Sequence, residues 1–109
     1  MGYRVQRQMK RKTVPACPVE TTMLFLKDRA ATLIVGYLLL DNTDQLHLQK
    51  KINIKKRTLE QSIDDLCREG ICRILPDGSL ELTEFGRSLQ GVVDAMAQWG
   101  EQYKTQQNI

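Results

Sequence analysis

Residues 54–71 have the sequence IKKRTLEQSIDDLCREGI, which predicts one amphipathic helix with a basic start and a glycine stop. Leu59, Ile63 and Leu66 recur at positions i, i+4 and i+7, so they form a single buried stripe. Gly70 ends the helix because glycine adopts the left-handed conformation without strain. A helix of this shape can lie in a DNA groove.

The start of that helix is unusually positive. Lys55, Lys56 and Arg57 stand where the helix dipole is also positive, although acidic residues would stabilise that end better. A helix amino terminus that carries lysine and arginine is suited to binding phosphate. The arrangement therefore indicates an anionic partner.

The length of 109 residues and the hydrophobic content of 41% predict one small domain, residues 17–109, preceded by a basic arm, residues 1–16. The longest apolar run, residues 33–40, is too short to span a bilayer, and the first residues lack a signal peptide's apolar stretch. We therefore expect a cytoplasmic protein without a membrane partner.

Cysteine and histidine usage argues against disulfides and metals. Three cysteines are an odd number in a chain without an export signal, which favours reduced thiols. His47 is the only histidine and no Cys-x-x-Cys spacing occurs, so we expect no metal site. Nothing in the sequence indicates a cofactor.

Charge is distributed unevenly along the chain. Residues 4–12 and 50–57 are basic and contain no acid, whereas most of the charged residues among 60–84 are acidic. Two basic blocks could meet a polyanion, with binding confined to one face. The alternative is that these charges only form a solvated surface.

Three further helices are predicted before residue 54. The first begins at Pro18 and continues to about Lys27, with Val19, Met23 and Leu26 as its buried stripe. A nearly apolar helix over residues 28–40 would be central in the core, and a short one follows over residues 46–52. This last helix and the helix after Asn53 are joined by few residues, which is typical of a helix-turn-helix.

After Gly70 the pattern becomes that of a β-hairpin, with strands at 71–75 and 80–83 around Pro76-Asp77-Gly78-Ser79. Thr83 is then expected to cap a closing helix that carries a heptad stripe. The stripe extends beyond what a small core needs, so a dimer interface is favoured over internal packing. Its residues are Phe85, Leu89, Val92, Met96, Trp99 and Tyr103.

These elements make a mainly α fold with a small β-hairpin, the winged helix-turn-helix. Four stretches, within residues 17–103, resemble the signatures of the HxlR-type transcriptional regulators. They are Cys17-Pro-Val-Glu20, Arg57-Thr-Leu-Glu-Gln-Ser-Ile-Asp-Asp-Leu66 with Gly70, Leu82-Thr-Glu-Phe-Gly86 and Asp94-Ala-Met-Ala-Gln-Trp-Gly100.

The resemblance implies a homodimeric, sequence-specific regulator of transcription whose two recognition helices bind a palindromic operator in double-stranded DNA. The sequence departs from the family pattern in places. Residues 27–30 are Lys-Asp-Arg-Ala where the family usually has Gly-Gly-Lys-Trp, so only the basic position is kept, as Arg29. The hairpin is shorter than usual, and its acidic tip would repel a phosphate backbone.

Residues at the start of the recognition helix would meet DNA first. Arg57 and Gln61 are predicted to contact bases, because their side chains can make paired hydrogen bonds to guanine and adenine. Lysines mainly neutralise phosphates. The alternative is that Arg57 pairs with Glu60 or Gln61 and only keeps the surface soluble. The full set of predicted DNA contacts is Arg29, Lys50, Lys51, Lys55, Lys56, Arg57, Thr58 and Gln61.

Cys17 is a candidate redox sensor. Regulators in the resembled family that respond to electrophiles or oxidants use a cysteine at this position, and a helix start favours the thiolate. The alternative is a small buried hydrophobe beneath the dimer helix. Cys67, beside the buried stripe, and Cys72, on a strand, are predicted to be structural.

Other functional classes fit less well. An enzyme is not expected, because no second histidine, glycine-rich phosphate loop or serine-histidine-acid set accompanies His47, Asp64 and Asp65. A winged-helix module that binds protein remains the rival interpretation, favoured by the acids after Gln61 and by the short wing. Salt dependence separates the two, since DNA binding weakens steeply with salt.

Overall fold

The computed structural model describes residues 13–109; the first twelve residues, and with them most of the predicted arm 1–16, lie outside the described residues. The described chain is mainly helical with one small antiparallel sheet, which confirms the predicted fold class. The elements are α1 (Pro18–Thr22), α2 (Arg29–Leu40), α3 (Gln45–Lys51), α4 (Lys56–Arg68), β1 (Cys72–Ile74), β2 (Leu80–Leu82), α5 (Glu84–Arg87) and α6 (Gln90–Gln107).

Helix α2 is the central element, as its apolar sequence predicts. The carboxylate of Asp28 caps it by accepting a hydrogen bond from the Ala31 amide at 2.9 Å. Ile34, Val35 and Leu38 are almost fully buried, and α2 packs against α4, β2 and α6. Helix α4 and the β1–β2 hairpin are thus assembled on one apolar helix.

The wing is a short hairpin that pairs Cys72 with Leu82 and Ile74 with Leu80. An isolated bridge between Thr43 and Leu80 joins it to the segment before α3. At its tip Gly78 has a φ of 89°, a backbone conformation that residues with a side chain rarely adopt. The hairpin and its turn therefore form where the sequence predicts them.

Backbone contacts join the end of α4 to the start of α5. Gly70 adopts the predicted left-handed conformation, with a φ of 79°. The Ile71 carbonyl accepts the Thr83 amide at 2.9 Å, and a β-carbon on Gly86 would lie only 2.1 Å from the same oxygen. Residue 86 must therefore be glycine for these two segments to approach so closely.

The first helix is shorter than predicted, and of its expected buried stripe only Leu26 packs against the core of the single subunit. Helix α1 ends at Thr22, and Val19 and Met23 are 68% and 55% exposed. The Thr21 and Thr22 hydroxyls bond back to carbonyl oxygens four residues earlier, and tighter i to i−3 bonds follow at the Leu24 and Phe25 amides. Such bonds compete with helix continuation.

The predicted closing helix is two helices. Thr83 caps only the four-residue α5, and the Leu89 amide bonds to the Gly86 carbonyl in an i to i−3 turn that separates α5 from α6. Phe85 lies on α5 with its ring edge-on to Phe25, the centroids 5.4 Å apart, and Leu89 packs against the core. The heptad stripe is therefore not continuous along one helix.

Thr83 offers a test of this junction. Its hydroxyl accepts the Gly86 amide at 3.0 Å and donates to the Gly70 carbonyl at 2.5 Å. Thr83→Ala should lower the free energy of unfolding by about 2 kcal/mol, because it removes a cap and leaves part-buried groups without a partner. Thr83→Ser keeps the hydroxyl and should lose clearly less. Urea denaturation of the three proteins measures the difference, and equal losses for both variants would contradict the assignment.

Candidate nucleic-acid interface

One face of α4 is fixed in the core and the other is exposed. Leu59, Ile63 and Leu66 are at most 4% exposed, which confirms the predicted stripe, and Ser62 is buried beside them. This anchoring leaves the side chains at the start of the helix exposed to solvent. Lys55, Lys56, Arg57, Thr58 and Gln61 are all exposed.

The first turn of α4 is positive and has no internal neutralisation. Lys55 occupies the N-cap in an extended conformation without a side-chain cap, and the first turn contains no acid. The first amides of a helix have no intrahelical acceptor. Amides and cations together therefore form a surface that suits an anion.

Two side chains hold the turn that precedes α4. The Gln49 amide nitrogen donates to the Ile54 carbonyl at 2.7 Å, and the Arg29 guanidinium lies 3.4 Å from the Asn53 carbonyl. Sequence reasoning missed Gln49, because a glutamine on a short polar helix carries no signal of this contact. Arg29, predicted to contact DNA, is exposed at the start of α2 and contacts this turn.

Arg57 does not make the surface pairs that were its alternative. Within residues 13–109 its guanidinium has no hydrogen-bond or ion-pair partner, and Glu60 instead accepts from the Gln45 amide at 3.2 Å. Lys50 and Lys51, in the last turn of α3, are exposed as well. Five of the six predicted cations thus lie on the two helices of the helix-turn-helix and on its turn, and the sixth, Arg29, lies on α2 beside that turn.

Gln61 belongs to a small polar network around Asp65. Its amide nitrogen donates to Asp65 at 3.1 Å, and the same carboxylate binds Lys27 and Arg68, each at 2.9 Å. The hydrogen bond from Lys27 holds the pKa of Asp65 below its usual value, with smaller contributions from Gln61 and Arg68 that oppose partial burial. Asp65 is therefore charged at neutral pH, and a DNA base would have to displace this carboxylate to bind the Gln61 side chain.

The tip of the wing carries negative charge. Asp77 accepts from the Ser79 hydroxyl at 2.7 Å and from the Ser79 amide at 2.9 Å, and these bonds lower the pKa of Asp77. Arg73, on β1, is paired with Glu81 across the hairpin at 2.9 Å. The wing thus presents no unpaired cation among its described strand residues.

The cysteines occupy two environments. Cys17 is exposed as the N-cap residue of α1, so within this subunit it is not the buried hydrophobe of the alternative interpretation. Cys67 is half-buried, Cys72 is buried, and their sulfur atoms lie 3.4 Å apart. Sequence reasoning missed this pair because the two residues were assigned to different elements.

Along most of its length α6 exposes large apolar side chains that the elements within residues 13–109 leave uncovered. Its Val92, Met96, Trp99 and Tyr103 are exposed, Trp99 by 67%, while Phe85 and Leu89 pack inward. The rings of Trp99 and Tyr103 stack with centroids 5.8 Å apart. An apolar stripe of four residues therefore lies open on one helix.

Residues 13–109 contain no helix long and apolar enough to cross a membrane. The same residues contain no cluster of three or more side chains placed to hold a metal ion.

A helix-turn-helix on an apolar central helix, followed by a two-stranded wing, defines the class of winged helix-turn-helix proteins. The model of the HxlR-like helix-turn-helix family matches residues 25–108, and the chain belongs to this family of transcriptional regulators.

Individual relatives agree with the assignment. YdeP from Bacillus subtilis strain 168, described as an uncharacterized HTH-type transcriptional regulator, is 32% identical over 96 residues, covering 81% of this chain and 74% of YdeP. The crystal structure of a proposed HTH-type transcriptional regulator, ytcD, has a TM-score of 0.74 at 26% identity and covers 82% of this chain and 98% of ytcD. Quinone-bound YodB from B. subtilis has a TM-score of 0.69 at 26% identity, covering 79% and 98%.

Proposed function

We propose that the protein regulates transcription by binding a palindromic site in double-stranded DNA as a homodimer, with α4 of each subunit in the major groove. The observation that carries this proposal is the exposed first turn of α4, which has three cations, open amides and no acid. Membership of a helix-turn-helix regulator family supports it.

The contacts divide into two kinds. Arg57 contacts bases, since its guanidinium is exposed and has no partner among the described residues, and Lys55 and Lys56 neutralise phosphates. Gln61 forms hydrogen bonds with a base after its hydrogen bond to Asp65 breaks. Exposed pairs at i and i+4 contribute only about 0.2–0.5 kcal/mol, so one good base contact compensates for the loss. Further contacts to the sugar-phosphate backbone of DNA come from Thr58, Lys50, Lys51 and Arg29.

The second subunit covers the exposed stripe of α6. Val92, Met96, Trp99 and Tyr103 are apolar and lie on one side of the helix, and Val19 and Met23 of α1 offer additional uncovered apolar surface. Burying such surfaces in a symmetric contact removes them from water twice. Phe85 and Leu89, predicted as interface residues, support α6 from within the subunit.

Cys17 makes the regulator responsive to electrophiles. It is exposed at a helix start, and the quinone-bound relative YodB has the same fold.

A protein-binding module is the second candidate function. The acidic wing tip, with Asp77 held by Ser79, favours it because this tip repels phosphate. The salt dependence of binding to DNA distinguishes the two.

The division of contacts is testable with two substitutions on α4. Arg57→Ala should weaken binding to the selected operator by roughly 1–3 kcal/mol and relax sequence preference, because a base contact is lost. Lys56→Ala should weaken binding to all DNA sequences by a similar factor, and the affinity of this variant should depend less steeply on salt concentration. Fluorescence anisotropy with operator and scrambled DNA at several salt concentrations measures both. Unchanged operator binding by Arg57→Ala would remove the base-contact assignment, and salt-independent binding of wild type would favour the protein-binding module.

The dimer surface is testable on α6. Met96→Glu places a charge in each half of the proposed interface and should give a monomer in analytical ultracentrifugation, because an unpaired buried charge is strongly unfavourable. Gln98→Glu, which adds the same charge to another face of the exposed helix, is the control and should remain dimeric. Circular dichroism of Met96→Glu establishes that it folds. A folded Met96→Glu dimer of full stability would exclude this stripe as the interface.

Cys17 is tested by Cys17→Ser. This variant should bind operator DNA like wild type but lose the response to a small quinone, since only the thiolate adds to the electrophile. Mass spectrometry locates the adduct and anisotropy reports affinity. Wild type that keeps full affinity with Cys17 fully modified would show that this thiol carries no signal.

A further inference from the structure

The end of α4 and the start of β1 hold a second pair of thiols. The Cys67 and Cys72 sulfur atoms are 3.4 Å apart and share a hydrogen bond. A disulfide requires about 2.05 Å, so the sulfurs need to approach by only about 1.4 Å, which side-chain torsions can provide. We infer that Cys67 and Cys72 of one subunit form a reversible dithiol–disulfide site that reacts with peroxides.

The backbone holds the two cysteines together independently of their side chains. The Gly70 amide donates to the Cys67 carbonyl at 3.0 Å and the Ile71 amide to the Leu66 carbonyl at 2.9 Å, with Gly70 left-handed between them. This is a Schellman-type helix end. The pair is therefore preorganised for a bond within the chain, whereas Cys17 is on the exposed α1.

Exposure assigns the order of events. Cys67 is half-buried and accessible to a small oxidant, whereas Cys72 is buried. Burial raises the pKa of the Cys72 thiol, with further contributions from the neighbouring Cys67, so Cys72 keeps its proton while Cys67 reacts. The Cys72 sulfur lies 3.4 Å from the Cys67 sulfur, so it is placed to act as the resolving thiol once Cys67 is oxidised.

The chemistry balances with hydrogen peroxide as the oxidant. The Cys67 sulfur attacks one peroxide oxygen, so that an S–O bond forms and the O–O bond breaks, and the departing hydroxide takes the Cys67 proton as the first water, which leaves a sulfenic acid. The Cys72 sulfur then attacks the Cys67 sulfur, so that the S–S bond forms, the S–O bond breaks and the Cys72 proton leaves with the oxygen as a second water. Two thiols and one peroxide thus give one disulfide and two waters, and an added thiol reverses the bond by exchange.

The bond would connect the last turn of α4 to the first residue of the wing. It requires neither Cys17 nor DNA, so it stands apart from the function proposed above. An oxidant signal at this joint is also chemically distinct from a quinone adduct on Cys17, since it is a sulfur–sulfur bond within one chain.

The sequence permits a direct assay. Trypsin separates all three cysteines, because they fall in fragments 13–27, 58–68 and 69–73. Full-length protein is treated with hydrogen peroxide, its remaining thiols are alkylated, and the digest is analysed by mass spectrometry. We expect fragments 58–68 and 69–73 to appear joined, two hydrogens lighter than their sum, and to separate with dithiothreitol.

Variants and isotopes make the result decisive. Cys17→Ser should form the joined fragments at the wild-type rate, and Cys67→Ser, at the half-buried position, should lose them completely. Cys72→Ala, which avoids a buried hydroxyl, should also lose them and accumulate oxidised Cys67. Protein mixed from light and ¹⁵N-labelled chains should give no joined pair of mixed isotope. Fragments that stay separate while Cys17 is oxidised, or a pair of mixed isotope, would overturn the inference.

Discussion

The Ile71 carbonyl is the point on which the arrangement of helices depends. It is buried, it accepts the Thr83 amide, and it lies so close to Gly86 that no side chain fits there. The end of α4 is thereby joined to the start of α5 through backbone atoms, and α6 follows directly. In the proposed dimer, the position of each recognition helix relative to the interface helix is therefore determined by main-chain geometry, which side-chain motion perturbs little.

Such a rigid support allows α4 to tolerate an unfavourable charge pattern. A cation at a helix amino terminus costs about 0.3–1 kcal/mol. Leu59, Ile63 and Leu66 each contribute about 1.5–3 kcal/mol through burial, which exceeds the cost. Residues on the exposed side of the first turn can consequently be selected for a partner, because the buried side alone stabilises the helix.

Elements with a strong periodicity of apolar residues, or with a glycine at a turn, could be predicted from the sequence. The α4 stripe, the stop at Gly70 and the hairpin around Gly78 depend on local patterns, and all are present. Predictions that needed tertiary information were less successful. The end of α1 and the break before α6 depend on i to i−3 bonds, which no spacing of apolar residues reveals. The Gln49 contact and the Cys67–Cys72 pair likewise require two elements to be placed in space.

Negative charge confines where a polyanion can lie. Hydrogen bonds lower the pKa of Asp77 at the wing tip, so this carboxylate is ionised at neutral pH. Asp65 on α4 is ionised too, but Lys27 and Arg68 neutralise it. Phosphates are repelled from the wing tip and attracted to the first turn of α4 and the last turn of α3. A duplex would then be approached by the amino-terminal end of α4, as in other helix-turn-helix proteins. With the wing unable to add cationic contacts, sequence preference would rest on very few side chains, chiefly Arg57 and Gln61.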